Sequence, residues 1–324
     1  MCVTYYEIGR MIVEQEQEGR SRAGYGRTLL AELSEHLAER FGKGFSETNL
    51  RSFRKFYLAY APSIQQTSSA ESETGLLPGI FISALQKQQT MSAESYPFRL
   101  SWSHYQILMR IDRVEERQFY EIEATKQQWT VRQLSRQYNS SLYERLALSR
   151  NKGEVMRLSN EGQTIEKPRD VLKNPLVLEF IGLEERVEYS ESDLEYAIIG
   201  KLQKFLLELG KGFLYEARQK RFTFDEDSFF VDLVLYNRLL QCYVLIDLKT
   251  EKLVHQDLGQ MQMYVHYFDR YVKTDFEKPT IGILLCKEKS DTIVEITLPE
   301  GENIYASAYS LYWPDKSVSQ KKTQ

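Results

Sequence analysis

Three cysteines in 324 residues are too few and too scattered to staple a fold. Cys2, Cys242 and Cys286 are odd in number, and the last two lie in apolar runs where a free thiol behaves as a small hydrophobe. A disulfide framework is thereby excluded, and a reducing cytoplasm is the expected setting. No apolar stretch approaches the length a bilayer requires, and the start lacks a basic-then-apolar signal pattern, so no membrane association is expected. There is no Walker A loop to cradle ATP, no paired Cys/His zinc spacing and no Gly-x-Ser-x-Gly elbow. ATP-driven, zinc and serine-hydrolase chemistries therefore have little support.

A basic excess is also missing. The net charge is −4, a mild argument against indiscriminate nucleic-acid binding. The charge is uneven: residues 1–150 carry 19 Lys and Arg against 17 Asp and Glu, net +2, and residues 151–324 carry 23 against 29, net −6. An acidic, metal-binding half joined to a slightly basic half is compatible with a nuclease without establishing one. The length, with 42% hydrophobic residues, suffices for two ordinary domains, each with its own core.

What the chain does contain is two strand-like segments, Phe229-Phe-Val-Asp-Leu-Val-Leu-Tyr236 and Cys242-Tyr-Val-Leu-Ile-Asp-Leu-Lys249, each with a carboxylate inside an apolar run. Such runs read as strands covered on both faces, where an unpaired ionised Asp costs several kcal/mol unless something compensates it. Strand side chains alternate, so Asp247 and Lys249 project to one face. A hairpin through Asn237-Arg-Leu-Leu-Gln241 brings Asp232 beside them. Two carboxylates beside a lysine suit a divalent cation that positions a phosphodiester and its attacking water. Asp247-Leu-Lys249 alone is a weak signal, because a Lys–Asp pair at a strand end is commonly structural. Asp232, with no basic neighbour in its own strand, strengthens it.

Residues 5–60 read as helices, with an apolar stripe at Tyr5, Ile8, Met11 and Ile12 that resumes at Leu29, Leu30, Leu33, Leu37 and Phe41. Ser46 is a plausible N-cap for a helix whose Leu50, Phe53, Phe56 and Tyr57 face inward. A Ser/Gln/Thr/Glu-rich stretch near 62–98 reads as a flexible connection. Helices return over Trp102–Ile111, Val114–Gln127 and Thr130–Leu148. The last carries Arg132, Arg136, Arg145 and Arg150. With its neighbour it resembles a helix-turn-helix arrangement that suits DNA, and an ordinary solvated helix face explains the arginines equally well.

The polar stretch 151–175 reads as a linker. A helix over about 193–209 then precedes three strand-like runs, a helix over about 256–268 and two more strands, and the tail 315–324 reads as disordered. The expected architecture is α+β with two domains. An all-helical domain at 1–150, for DNA or partner binding, is followed by a mixed-sheet domain of order αβββαβ at 176–314. On the helix before the strands, Glu195 recurs with Ile199, Leu202 and Leu206 at the margin of the apolar face. On the helix after them, Gln260 and Tyr264 stand one turn apart.

Glu195, Asp232, Asp247-Leu-Lys249 and Gln260-Met-Gln-Met-Tyr264, in that order on helix, second strand, third strand and following helix, resemble the PD-(D/E)xK nuclease core, specifically the YhcG family. Tyr6-Glu-Ile-Gly-Arg10, Phe41-Gly-Lys-Gly-Phe-Ser46, Leu100-Ser-Trp-Ser-His-Tyr105, Arg218-Gln-Lys-Arg221, Gly259-Gln-Met261 and Ile281-Gly-Ile-Leu-Leu-Cys286 extend the resemblance over nearly the whole chain. Asp247 stands where this family more usually has Glu. The family's N-terminal segment normally begins further upstream, so a late start is expected here.

The resemblance implies a restriction-endonuclease-like fold and a Mg²⁺-dependent endonuclease, with Mn²⁺ as a substitute. It implies Asp232, Asp247, the Leu248 carbonyl and Glu195 as metal ligands, Lys249 as the residue that orients or deprotonates water, and Gln260 and Tyr264 as groups that hold the site or substrate. Arg218, Lys220 and Arg221, together with Arg132 and Arg136, are candidate phosphate contacts, with plain surface charge as the alternative. The expected partner is nucleic acid, DNA before RNA, with a homo-oligomer or protein partner open through the N-terminal helices. A catalytically silent nuclease-fold protein that binds nucleic acid or assembles with other proteins is the competing reading.

Overall fold

The apolar runs 229–236 and 242–249 form two adjacent inner strands of a six-stranded sheet in a computed structural model, which describes residues 1–18, 25–68, 98–148, 150, 152–183, 189–224, 226–289, 291–299 and 301–313. The chain divides into two units, Met1–Ser135 and Arg136–Gln324. Among the described residues no helix is long and apolar enough to cross a membrane.

The first unit is helical: α1 (Cys2–Glu18), α2 (Tyr25–Phe41), α3 (Glu47–Ser68), α4 (Trp102–Leu108), α5 (Val114–Lys126) and the start of α6 (Val131–Asn139). Gly9 sets its tightest contact, since a Cβ there would lie 2.1 Å from the Phe53 carbonyl oxygen, so only glycine lets α1 approach α3 this closely. The buried face of α1 is Tyr6, Gly9, Ile12 and Val13, and Met11, expected to face inward, is 51% exposed. Phe41 is likewise exposed, while Leu50, Phe53 and Phe56 of α3 are buried as expected. The helix α3 runs on through Ser68, into the stretch expected to be a flexible connection. The rest of that stretch, at 69–97, and the tail at 315–324 lie outside the described residues.

The second unit contains α7 (Leu142–Ala147), α8 (Lys152–Glu161), β1 (Leu176–Val177), α9 (Glu191–Ile199), α10 (Leu202–Leu209), β2 (Phe213–Phe224), β3 (Asp227–Asn237), β4 (Cys242–Lys252), α11 (His255–Tyr267), β5 (Ile281–Glu288), α12 (Asp291–Thr297) and β6 (Ile304–Ser310). The sheet order is β1-β6-β5-β4-β3-β2, antiparallel across β2, β3 and β4 and parallel from β4 through β5 and β6 to β1. This is the expected αβββαβ core with two additions, β1 and α12, too short to stand out by periodicity. The single helix expected over 193–209 is two, because Lys201 leaves helical dihedrals at φ −128°, ψ 28°.

Both faces of β4 are covered, which is why its sequence is apolar from Cys242 through Ile246. Val244, Ile246 and Leu248 join a cluster with Leu194, Ile198 and Phe205, and Leu245 joins the opposite cluster with Leu258, Met261 and Tyr264. Gly282 of β5 admits α11 onto the sheet, since a Cβ there would lie 2.7 Å from Met261.

Two expectations fail at the start of this unit. The stretch 151–175 is not a linker: it holds α8, buries Val171 and Lys173, and ties Lys173 Nζ to the Glu208 carbonyl and the Asn174 side chain to the Ala308 amide. Its polar side chains bond main-chain groups of distant elements, a use that composition alone does not distinguish from solvation. The segment 130–148 is not one helix either, since Ser141 takes φ 52° and separates α6 from α7.

Arg136 is not a phosphate contact. Its Nε lies 3.0 Å from Glu179 Oε1, one terminal nitrogen lies 3.0 Å from Glu208 Oε2, and the other donates to the Val177 carbonyl. Arg145 reaches the same Glu208 at 2.6 Å. Helical spacing of arginines says nothing about whether acids far along the chain fold over them.

Candidate active site

The site forms where the sheet loses its regularity. The β3–β4 pairing runs from Asn237↔Cys242 to Leu233↔Ile246 and stops there. At the next rung the Leu248 N–H donates to Asp232 Oδ2 at 2.7 Å, a side chain standing in for a backbone acceptor. Val231 and Val234 of β3 belong to one cluster and Leu233 and Leu235 to the other, so the alternation of faces breaks at Asp232. On the other side β2 pairs Arg218↔Leu233 and Lys220↔Val231, which sets Gln219 opposite Asp232.

Asp247 is 3% exposed and lies 2.9 Å from Lys249 Nζ. Burial pushes its carboxyl up to about 7, helped by the negative charge of Asp232 and opposed by Lys249. The Lys249 ammonium is held above its usual range: burial works against it, and the carboxylates of Asp247, Glu191 and Asp257 outweigh burial. Glu191 Oε2, from the first turn of α9, is 3.7 Å from Lys249 Nζ. Glu195, one turn further on, is 5% exposed. Gln219 Nε2 donates to both Glu195 Oε2 and Asp232 Oδ1, at 2.7 and 2.9 Å.

From α11, Gln260 donates to the Tyr264 hydroxyl. Tyr264 is buried, and its hydroxyl is pushed above the usual range by burial and by the Asp247 charge, with Gln260 opposing. Of the three cations expected on β2, Arg218 turns toward the site, with Nε 3.8 Å from Glu195 Oε1 and its guanidinium 4.7 Å from the centre of the Tyr196 ring. Arg221 is held by Ser228 at 2.8 and 3.1 Å, and Lys220 is exposed. Arg132 is exposed on α6.

A profile of the YhcG PDDEXK nuclease domain matches residues 169–324, and one of the DUF1016 N-terminal domain matches residues 1–145. Over 321 residues the chain is 40% identical to "Putative nuclease YhcG" of Escherichia coli (strain K12), covering 98% of this chain and 84% of that protein. The chain belongs to the YhcG family. Two solved structures match at lower identity: a repair endonuclease from Pyrococcus abyssi (19% identity, TM-score 0.26, 39% of this chain and 49% of that one) and an EndoMS–dsDNA2 complex (18%, 0.27, 41% and 51%). The chain spans about half the length of each.

In this YhcG-family chain the donor set for a cation is sparse, and among the described residues no three His, Cys, Asp or Glu side chains converge. Asp232 and Asp247 supply two carboxylates whose charges oppose one another. The Leu248 carbonyl could add a third oxygen, because the N–H and C=O of one strand residue leave by the same edge and its N–H is already directed at Asp232. A mutually repelling acid pair, one member buried and the other half-buried, with one carbonyl would fit a small hard cation that retains its waters.

Gln219 and Glu191 were not singled out from sequence. Gln219 lay inside Arg218-Gln-Lys-Arg221, but nothing in strand periodicity turns it toward the acids. Glu191 follows the N-cap Ser190 and reads as an ordinary complement to the helix dipole.

The raised Asp247 carboxyl has a consequence for stability. Its folded value of about 7 exceeds the ordinary 3.8, so the stability it contributes is full below pH 4 and is lost as pH rises through 7. In EDTA, Asp247→Asn should therefore be more stable than the wild type at about pH 8, by roughly 1–2 kcal/mol, and lose that advantage by about pH 5. Thermal melts at the two pH values check this; an equal difference at both would show that Asp247 stays ionised throughout.

Proposed function

We propose that this YhcG-family chain is a Mg²⁺-dependent endonuclease that hydrolyses phosphodiester bonds in DNA, with its helical N-terminal unit directing it to the substrate. The observation that carries the reading is the rung at which β3 and β4 part, where Asp232, Asp247, the Leu248 peptide and Lys249 meet beyond the apolar stretches of the two strands. A fold of this class hosts the chemistry only through such a site.

Asp232, Asp247 and the Leu248 carbonyl would hold the cation, with Glu195 beside them. When bound, Mg²⁺ supplies positive charge against the phosphate and lowers the pKa of a coordinated water. Lys249, fixed by Asp247 and Glu191, offers a positive charge and three donors at the end of β4, suited to orienting the attacking water and offsetting phosphate charge. Tyr264, held by Gln260, lies close enough on α11 to feel the charges of Asp247, Asp232 and Lys249. Arg218, Lys220 and Arg221 line the outer strand β2, where a phosphate backbone would pass.

The deciding experiment incubates the purified full-length protein with plasmid, linear, branched and single-stranded DNA and with RNA, each with Mg²⁺, Mn²⁺ or EDTA. Cleavage of DNA with Mg²⁺ and none with EDTA is the expected result. Cleavage confined to RNA would transfer the reading to a ribonuclease, and no cleavage of any substrate would favour a silent binding module.

Arg132 tests the role of the N-terminal unit. It is exposed where Arg136 is not, so Arg132→Gln should shallow the salt dependence of DNA binding by about one counterion. Anisotropy titrations over a salt series read the slope. An unchanged slope would make Arg132 an ordinary solvated side chain.

A further inference from the structure

Two irregularities meet at Gln219. Its φ of 45° lies in the left-handed region that side chains other than Asn and Asp seldom occupy. It also stands on the rung opposite Asp232, where β3 changes the face it presents. An ordinary extended residue there would project perpendicular to the sheet and alternate with Arg218 and Lys220. Instead, Gln219 Nε2 reaches Glu195 Oε2 at 2.7 Å and Asp232 Oδ1 at 2.9 Å.

Carboxylates only accept, so the amino end of the amide must face them, and its two hydrogens allow one bond to each acid. The remaining oxygen of Asp232 is held by the Leu248 N–H at 2.7 Å, and that of Glu195 faces Arg218 at 3.8 Å. One amide thus couples an acid on α9 to an acid on β3. A merely structural edge-strand residue needs neither the left-handed backbone nor both donors, and an unfavourable conformation that persists beside functional groups points to a role there.

We propose that Gln219 is a positioning residue for the cation site: its amide fixes the orientation of Glu195 and Asp232, and the left-handed backbone carries it there. This rests on the reading of Asp232 as a cation ligand. Groups that orient ligands in this way change metal affinity about ten- to a hundredfold when removed.

The test uses the full-length chain and Gln219→Gly, which adopts the same φ without steric penalty and removes the side chain with its amide. Its melting temperature in EDTA should equal or exceed that of the wild type. Its Mg²⁺ affinity, measured by calorimetry without DNA, should fall about ten- to a hundredfold. The Mg²⁺ concentration for half-maximal cleavage should rise by the same factor, while the rate at saturating Mg²⁺ recovers to within a few-fold of the wild type. Gln219→Glu, which sets a third carboxylate against the other two, should gain more thermal stability from Mg²⁺ than the wild type does. Wild-type Mg²⁺ affinity in Gln219→Gly overturns the proposal and leaves the nuclease reading intact. A wild type that binds Mg²⁺ but cleaves nothing ends the nuclease reading, and the proposal then stands on the calorimetric loss in Gln219→Gly.

Discussion

Asp232→Ala, Asp247→Ala and Lys249→Ala should each lower Mg²⁺-dependent DNA cleavage by about three orders of magnitude or more, since each removes a group from the rung where the cation and its water would lie. The three should differ in stability. Asp247→Ala removes a buried carboxyl already pushed up to about 7, so its melting temperature in EDTA should match or exceed that of the wild type. Lys249→Ala takes away the cation nearest Asp247 and Glu191, so it should melt lower above about pH 7 and recover as the pH falls and Asp247 takes up its proton. Single-turnover cleavage assays with melts in EDTA at two pH values separate the effects. Wild-type cleavage by any one variant would show that the chemistry lies elsewhere.

The parts of this site that the sequence made legible are those with a compensation problem. A carboxylate inside an apolar run has to be satisfied, Asp247 by Lys249 two residues on and Asp232 by something outside its own strand, and that demand is readable without coordinates. Lys249 follows from the two-residue repeat, and Gln260 and Tyr264 from the helical turn. Gln219 is of another kind. Its placement depends on a φ of 45° and on a register that shifts between Tyr215 and Ala217, neither of which is encoded in residue type. Arg136 was misread for a related reason: its acidic partners lie 43 and 72 residues further along the chain, so no local pattern separates a solvated arginine from a buried one. The same blindness to long-range pairing turned the stretch 151–175 into a linker.

That buried network carries the largest expected effect on stability. Glu208 is fully buried, and Arg145, Lys173 and Arg136 together overcome the burial cost and hold its carboxyl down to about 2. It also accepts from the Val177 amide, so it joins the chain before β1 to α10 and to β1 itself. Glu208→Gln should destabilise the protein by about 3–5 kcal/mol near neutral pH, because two arginines and a lysine lose the anion they share. The pH dependence has a definite sign. The folded value of about 2 lies below the ordinary 4.5, so the stabilisation is present above 4.5 and is lost as pH falls toward 2. Denaturant melts across that range should show the wild type converging on Glu208→Gln as the solution is acidified. A substitution that costs less than about 0.5 kcal/mol near neutral pH would mean that the arginines find other partners. The expected loss would place the working start of the nuclease fold at Arg136, well before the strand at Leu176, with Arg136 of α6 and Arg145 of α7 serving as part of its interior.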